Sequence, residues 1–159
     1  MKKLFITAAT AILFSVTAFA AGGTKTFITG EENVSYQALN RFASTFKGAK
    51  NAAWTITANC QKVTFTLGDA QLTAFYNFSG DYIGTTQDVA YNVIPADAQK
   101  TIAANYAGYT VGEVIKYQNF DGDAGLPSSA YFVDLKKDKS EILVKVTPDE
   151  NVTYFKKVK

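Results

Sequence analysis

The chain has 159 residues, 47% of them apolar, with 16 basic and 14 acidic side chains and no histidine. That apolar share argues against disorder and for one domain or two small fused ones, and a single arginine, Arg41, leaves no basic stripe for a phosphate backbone, so nucleic acid is not an expected partner. The missing histidine removes Ser-His and Cys-His catalysis and histidine-based zinc or haem sites, while the lone Cys60 cannot close an internal disulfide.

Residues 1–20, MKKLFITAATAILFSVTAFA, read as a secretory signal peptide: Lys2 and Lys3, an apolar run from Leu4 to Val16, and Ala18-Phe19-Ala20 as an A-x-A cleavage site. The run is shorter than the roughly 20 residues a spanning helix needs, so the expectation is a periplasmic or secreted chain cleaved near Ala20, with no transmembrane segment in its mature part. Cleavage leaves fourteen basic against fourteen acidic side chains. Residues 21–30 read as a flexible N-terminal segment.

Residues 34–48, VSYQALNRFASTFKG, and 94–108, IPADAQKTIAANYAG, repeat one outline at a constant offset of sixty. Val34, Ala38, Phe42 and Phe46, and then Ile94, Ala98, Ile102 and Tyr106, recur at i, i+4 steps, which makes one narrow apolar stripe per helix. Pro95 suits a first helical turn, and Gly48 and Gly108 stand where a left-handed residue closes a helix.

After each glycine the period drops to two. VTFTL puts Val63, Phe65 and Leu67 on one face and Thr64 and Thr66 on the other, and YFVDL does the same with Tyr131, Val133 and Leu135 against Phe132 and Asp134. Further β-rich stretches lie at 53–57, 111–117, 71–78 and 141–146, separated by LGDA, NFSGD, KKDKS and TPDEN turns. The copies differ mainly at NFDGDAGLPSS (119–129), which lengthens the first strand link of the second copy by about eight residues. The fold expected is α+β: two tandem helix-plus-antiparallel-meander repeats, 31–92 and 93–159, with both helices on one face of an about eight-stranded antiparallel sheet and the other face free.

IPADAQKTIAANYAGYTV resembles the repeated L-P-x-x-V-x-x-x-I-x-x-x-Y-P-G-Y pattern of the beta-lactamase-inhibitor-like, PepSY-like periplasmic proteins. FKGAKNAAW and TAFYNFSGDYI are similar to that family's F-P-x-A-x-x-V-x-W and x-A-Y-F-D-x-x-G-x-W-L. The resemblance covers most of residues 31–158. Lys47 and Ala107 depart from its prolines, Tyr82 from its second tryptophan, and TPDEN from its glycine turn. It implies a tandem helix-plus-sheet fold and binding to another envelope or secreted protein.

No catalytic constellation is apparent, so the chain is not expected to be an enzyme or to carry a cofactor. Cys60, by the NCQ turn, has no resolving partner or activating cation nearby in sequence, which favours an unreactive, half-covered thiol. The pairs Glu31/Glu32, Asp121/Asp123 and Asp149/Glu150 fall in turns, where carboxylates serve solvation. DGDAG lacks the later ligands of a calcium loop.

The aromatics, nine tyrosines and twelve phenylalanines, exceed what two narrow stripes need. If Leu72, Ala74, Tyr76 and Phe78 face in, Phe75 faces out, so Phe75 and Phe132 become candidate anchors for a partner, with Thr64 and Thr66 beside them and Tyr82 and Tyr117 as further candidates. Trp54 is expected in the core. The alternative reading is a carrier of a small ligand or metal on the sheet face or the 121–129 loop.

Overall fold

The computed structural model describes residues 28–119 and 129–159. The expected signal peptide, residues 21–27 of the expected flexible segment, and 120–128, including the Asp121/Asp123 pair, lie outside the described residues.

Helix α1 spans Tyr36–Thr45 and α2 spans Ala96–Asn105, each entered through a single 3-10 turn, Glu31–Asn33 and Tyr91–Val93. The expected stripes form. Val34, Ala38 and Phe46 are buried with Phe42 packed beside them, as are Ile94, Ala98 and Ile102 with Tyr106. Ser35 caps α1 by accepting a hydrogen bond from the Ala38 amide at 3.3 Å. Pro95 is the N-cap of α2 rather than a residue of its first turn, because its ψ of 141° is still extended. Both helices end in the same four-residue turn: the Ala49 amide donates to Phe46 O and the Tyr109 amide to Tyr106 O, both at 3.0 Å. Its third residue needs a positive φ, 85° at Gly48 and 83° at Gly108, which glycine adopts without strain.

The strands are β1 (Ile28–Thr29), β2 (Lys50–Ile56), β3 (Gln61–Leu67), β4 (Ala70–Tyr76), β5 (Tyr82–Asp88), β6 (Thr110–Gln118), β7 (Ser129–Lys137), β8 (Ser140–Val146) and β9 (Val152–Lys157). They form one antiparallel sheet in simple chain order, β1 adding two residues to the eight strands expected. The chain thus runs twice through a helix and four strands. Cross-strand register links Val63, Ala74, Thr85 and Gln118 on one face, and Gln118 shares its side of β6 with Val114. Since Val63 packs with α1 residues and Val114 with α2 residues, both helices cover the same face.

The two cores under the helices differ in chemistry. Phe42, Phe46, Trp54, Phe65, Tyr76 and Tyr82 form a continuous set of ring contacts below α1, among them Phe42 edge-on to Phe65 at 4.9 Å and to Trp54 at 5.5 Å. Below α2 the buried residues are aliphatic: Ile94, Ile102, Val114, Val133, Leu135, Ile142, Val144 and Val146. Each large apolar side chain so buried contributes about 1.5–3 kcal/mol, and favourable ring pairs about 0.5–1.5 kcal/mol more. Part of the surplus of aromatics noted above, Phe65, Tyr76 and Tyr82, is therefore absorbed by the one core below α1.

Other details depart from expectation. Phe78 does not face in: β4 ends at Tyr76, and Phe78 lies in the Asn77–Asp81 turn, 55% exposed. Trp54 pairs with Val63 whereas Val114 pairs with Val133, so ten residues, not about eight, are added between these positions in the second half: six lengthen the link, from 57–60 to 119–128, and four lengthen the two strands. A register shift recurs at the same place in each half, between Lys50 and Ala53 and between Val111 and Val114. The TPDEN turn keeps a left-handed residue without glycine, Glu150 having φ 63° where the first half has Gly80 at 88°.

Candidate functional site

The face opposite the helices is covered by no other helix or strand among the described residues. The alternation of β3 and β4 places Thr64, Thr66, Thr73 and Phe75 there, as expected for Thr64, Thr66 and Phe75, and all are half-buried. Thr64 and Thr73 face each other across the strands with their hydroxyls 3.1 Å apart. Thr55 and Thr86 continue this hydroxyl-rich surface on β2 and β5. Phe132 also lies on this face, half-buried, with the ring of Phe155 edge-on at 4.9 Å. Phe155 faces this side by plain alternation from Tyr154, which pairs with buried Val144, and it is the extra residue of a register shift in β9.

Two candidates do not belong to an accessible surface. Tyr82 is a core residue, 7% exposed, its ring packed against Phe46 and Tyr76 and its hydroxyl 2.6 Å from Thr85 Oγ1. The odd count from Val114 does put Tyr117 on the open side, yet it is only 6% exposed. Its ring lies over Gly84, where a Cβ would collide with it, and its hydroxyl donates to Ile83 O at 2.7 Å. Burial raises the Tyr117 pKa above that of an ordinary phenol. Tyr117 thus forms part of the sheet's own surface layer, and Tyr82 braces the helix side.

Phe75 pairs with Lys62 in the first half and Phe132 with Lys145 in the second. The aromatic and the lysine have exchanged strands between the halves. Each half therefore presents one such ring-and-ammonium pair on the open face, at mirrored positions of a strand pair.

Charge is concentrated in the second half. Lys136 Nζ lies 2.9 Å from Asp134 Oδ2 and 3.4 Å from Glu141 Oε1, and Lys159 Nζ lies 3.4 Å from Glu141 Oε2. The hydrogen bond to Asp134 raises the Lys136 pKa against the opposing effect of desolvation. Glu113, carried by the β6 bulge opposite Asp134, has its carboxyl pKa raised, first by burial and then by Asp88, with Lys136 opposing. Glu113 and Lys136 were missed by reading sequence alone, because a bulge decides which side Glu113 takes.

The expected bland roles fit the remaining groups. Cys60 is half-buried with its sulfur 3.4 Å from Thr57 Oγ1, and Glu31, Glu32, Asp149 and Glu150 are exposed. Among the described residues no cluster of His, Cys, Asp or Glu is arranged to hold a metal ion. No helix of the described residues is long and apolar enough to cross a membrane.

No protein-family model matches the chain, and no curated protein matches it in sequence. Its fold does have solved counterparts. A DUF2874 family protein from Bacteroides uniformis superposes with a TM-score of 0.67 at 14% identity, over 79% of this chain and 90% of that one. A BLIP-like protein from Bacteroides fragilis gives 0.66 at 11% identity, over 79% and 86%. A candidate periplasmic protein from Bacteroides eggerthii gives 0.64 at 12% identity, over 77% and 88%. At such identities the likeness establishes a BLIP-like helix-and-sheet fold. The likeness bears on the BLIP-like part of the sequence resemblance and not on its PepSY part.

Proposed function

We propose that this is a non-enzymatic binding protein of the cell envelope, periplasmic or secreted, that holds another protein against its open sheet face and modulates it as an inhibitor would modulate a secreted enzyme. The observation that carries the reading is a broad face without a covering layer among the described residues, bearing Phe75, Phe132 and Phe155 among threonines. A single antiparallel sheet needs only one buried face to fold, so apolar rings on the second face contribute little there and are suited to burial against a partner. The fold shared with a BLIP-like protein and a candidate periplasmic protein supports both the binding role and the location. We further propose that 31–92 and 93–159 are two copies of one unit, fused so that neither sheet alone must supply the contact area.

The test is capture on immobilised protein from envelope and secreted fractions, compared with a Phe75→Ser/Phe132→Ser variant. A stoichiometric partner retained by the native chain and lost by the variant, at nearly unchanged melting temperature, supports the reading. Equal retention by both overturns it, and a collapse of the variant's melting temperature shows instead that the rings stabilise the fold.

A further inference from the structure

The proposal above leaves the partner's chemistry open, and the second half of the open face narrows it. Four adjacent strands, β5 at the end of the first half and three of the second, each contribute one carboxylate near the Lys136 ammonium: Asp88 from β5, Glu113 from β6, Asp134 from β7 and Glu141 from β8, with Lys159 at the other oxygen of Glu141. The first half has no such feature at the matching register, where Ala53, Thr64, Thr66 and Gln71 stand for Glu113, Asp134, Lys136 and Glu141. The sheet therefore forms without the carboxylates, which belong to the surface rather than to the architecture.

Within this group Asp134 is under-satisfied. Its side chain is 8% exposed, Oδ2 takes Lys136, and Oδ1, shielded from solvent, has no hydrogen-bond partner among the described residues. A buried carboxylate oxygen without a donor is costly, and so is the crowding of Glu113 by like charges. The absent side chain of Gly112 leaves the space beside Asp134 Oδ2, since a Cβ there would collide with it. Lys136 is 53% exposed and is held by Glu141 as well, so it can leave Asp134 and keep an ion pair.

We propose that the open face receives an arginine side chain of the bound protein at Asp134 and Glu113, its guanidinium displacing Lys136 toward Glu141. A guanidinium is the donor suited to this place: its planar fork engages both oxygens of one carboxylate, which an ammonium cannot do. Ile115 and Phe132, paired across β6 and β7 on the same face, lie next along the strands to take the aliphatic stem. This inference rests on the open-face reading and deepens it.

The test is a titration of the 15N-labelled protein with acetyl-Leu-Arg-Leu-amide, alongside the same tripeptide carrying lysine or citrulline in place of arginine. Saturable shifts at the Gly112, Glu113 and Asp134 amides with the arginine peptide, weaker ones with lysine and none with citrulline are expected. Asp134→Asn, or Glu113→Gln should the first variant fold poorly, weakens the arginine peptide by about tenfold or more. Equal response to arginine and citrulline, or shifts unaffected by either substitution, overturns the inference. If the arginine site fails while Phe75→Ser/Phe132→Ser still abolishes capture, the binding reading stands and only the partner's chemistry is wrong. If capture is indifferent to the two phenylalanines while the guanidinium response holds, the binding reading fails alone.

Discussion

The two halves of the molecule reach one backbone arrangement with different side-chain chemistry. Under α1 lie rings, Phe42, Phe46, Trp54, Phe65, Tyr76 and Tyr82; under α2 lie Ile102, Val133, Leu135, Val144 and Val146. On the opposite face the first half is threonine and the second carries the Asp134–Lys136–Glu141 group. Total core volume and strand alternation set the fold, and many combinations of apolar residues meet both demands. The open face is free of either demand, so the halves can diverge there in ways that serve contact with a partner.

The largest effect should come from the aromatic core. Phe65→Ala removes the ring that Phe42 and Phe46 both touch and should cost about 3–5 kcal/mol, against about 0.5–1.5 kcal/mol for Ile102→Val under α2. Urea denaturation followed by Trp54 fluorescence checks the values. A transition that splits in two would show that the halves, joined by the β5–β6 pairing, unfold separately.

Next is a polar lock present in one half only. Buried Gln61 donates to Ser35 Oγ at 2.9 Å and to Asn77 O at 2.7 Å, and accepts from the Ser35 amide at 2.6 Å. It ties the start of α1 to the end of β4, whereas Tyr131 occupies the matching place beside α2. Gln61→Leu leaves those groups without their partner and should cost about 1–3 kcal/mol. A loss below a few tenths would mean the lock is redundant with the Ser35 cap.

Smaller changes follow from the second half's departures. Glu150 takes a left-handed conformation that Gly80 takes freely in the first half, so Glu150→Gly should gain up to about 1 kcal/mol. Glu113→Gln should give the smallest effect, one that depends on pH. The native state holds the Glu113 proton more tightly than the unfolded chain does, so wild-type stability falls as pH rises from the ordinary glutamate value of 4.5 into the raised range. The variant should therefore be slightly more stable than wild type at pH 7 and no different at pH 3. A variant less stable at pH 7 would show that the ionised carboxylate is needed by the fold.

How much of this was legible follows from what each feature depends on. The two helix stripes, the inward set Val63, Phe65 and Leu67, and the outward Phe75 and Phe132 were readable because local periodicity fixes them. Glu113 was not, because its side depends on a bulge that reverses the alternation. Tyr82 and Tyr117 could not be placed from the sequence for a different reason. Tyr82 opens a strand whose first residue faces the aromatic core, and Tyr117 is buried by a glycine on the neighbouring strand, a cross-strand relation invisible along one chain. Phe78 was assigned to β4 by extending its alternation two residues past the start of a turn.

The most direct test of the central claim is photo-crosslinking of the captured partner from two positions, one per face. A photoreactive residue at Thr64, on the open side of β3, should cross-link the partner, while one at Ala103, exposed on α2, should not. Cross-linking from Ala103 alone, or in equal yield from both, would contradict a binding face on the open sheet.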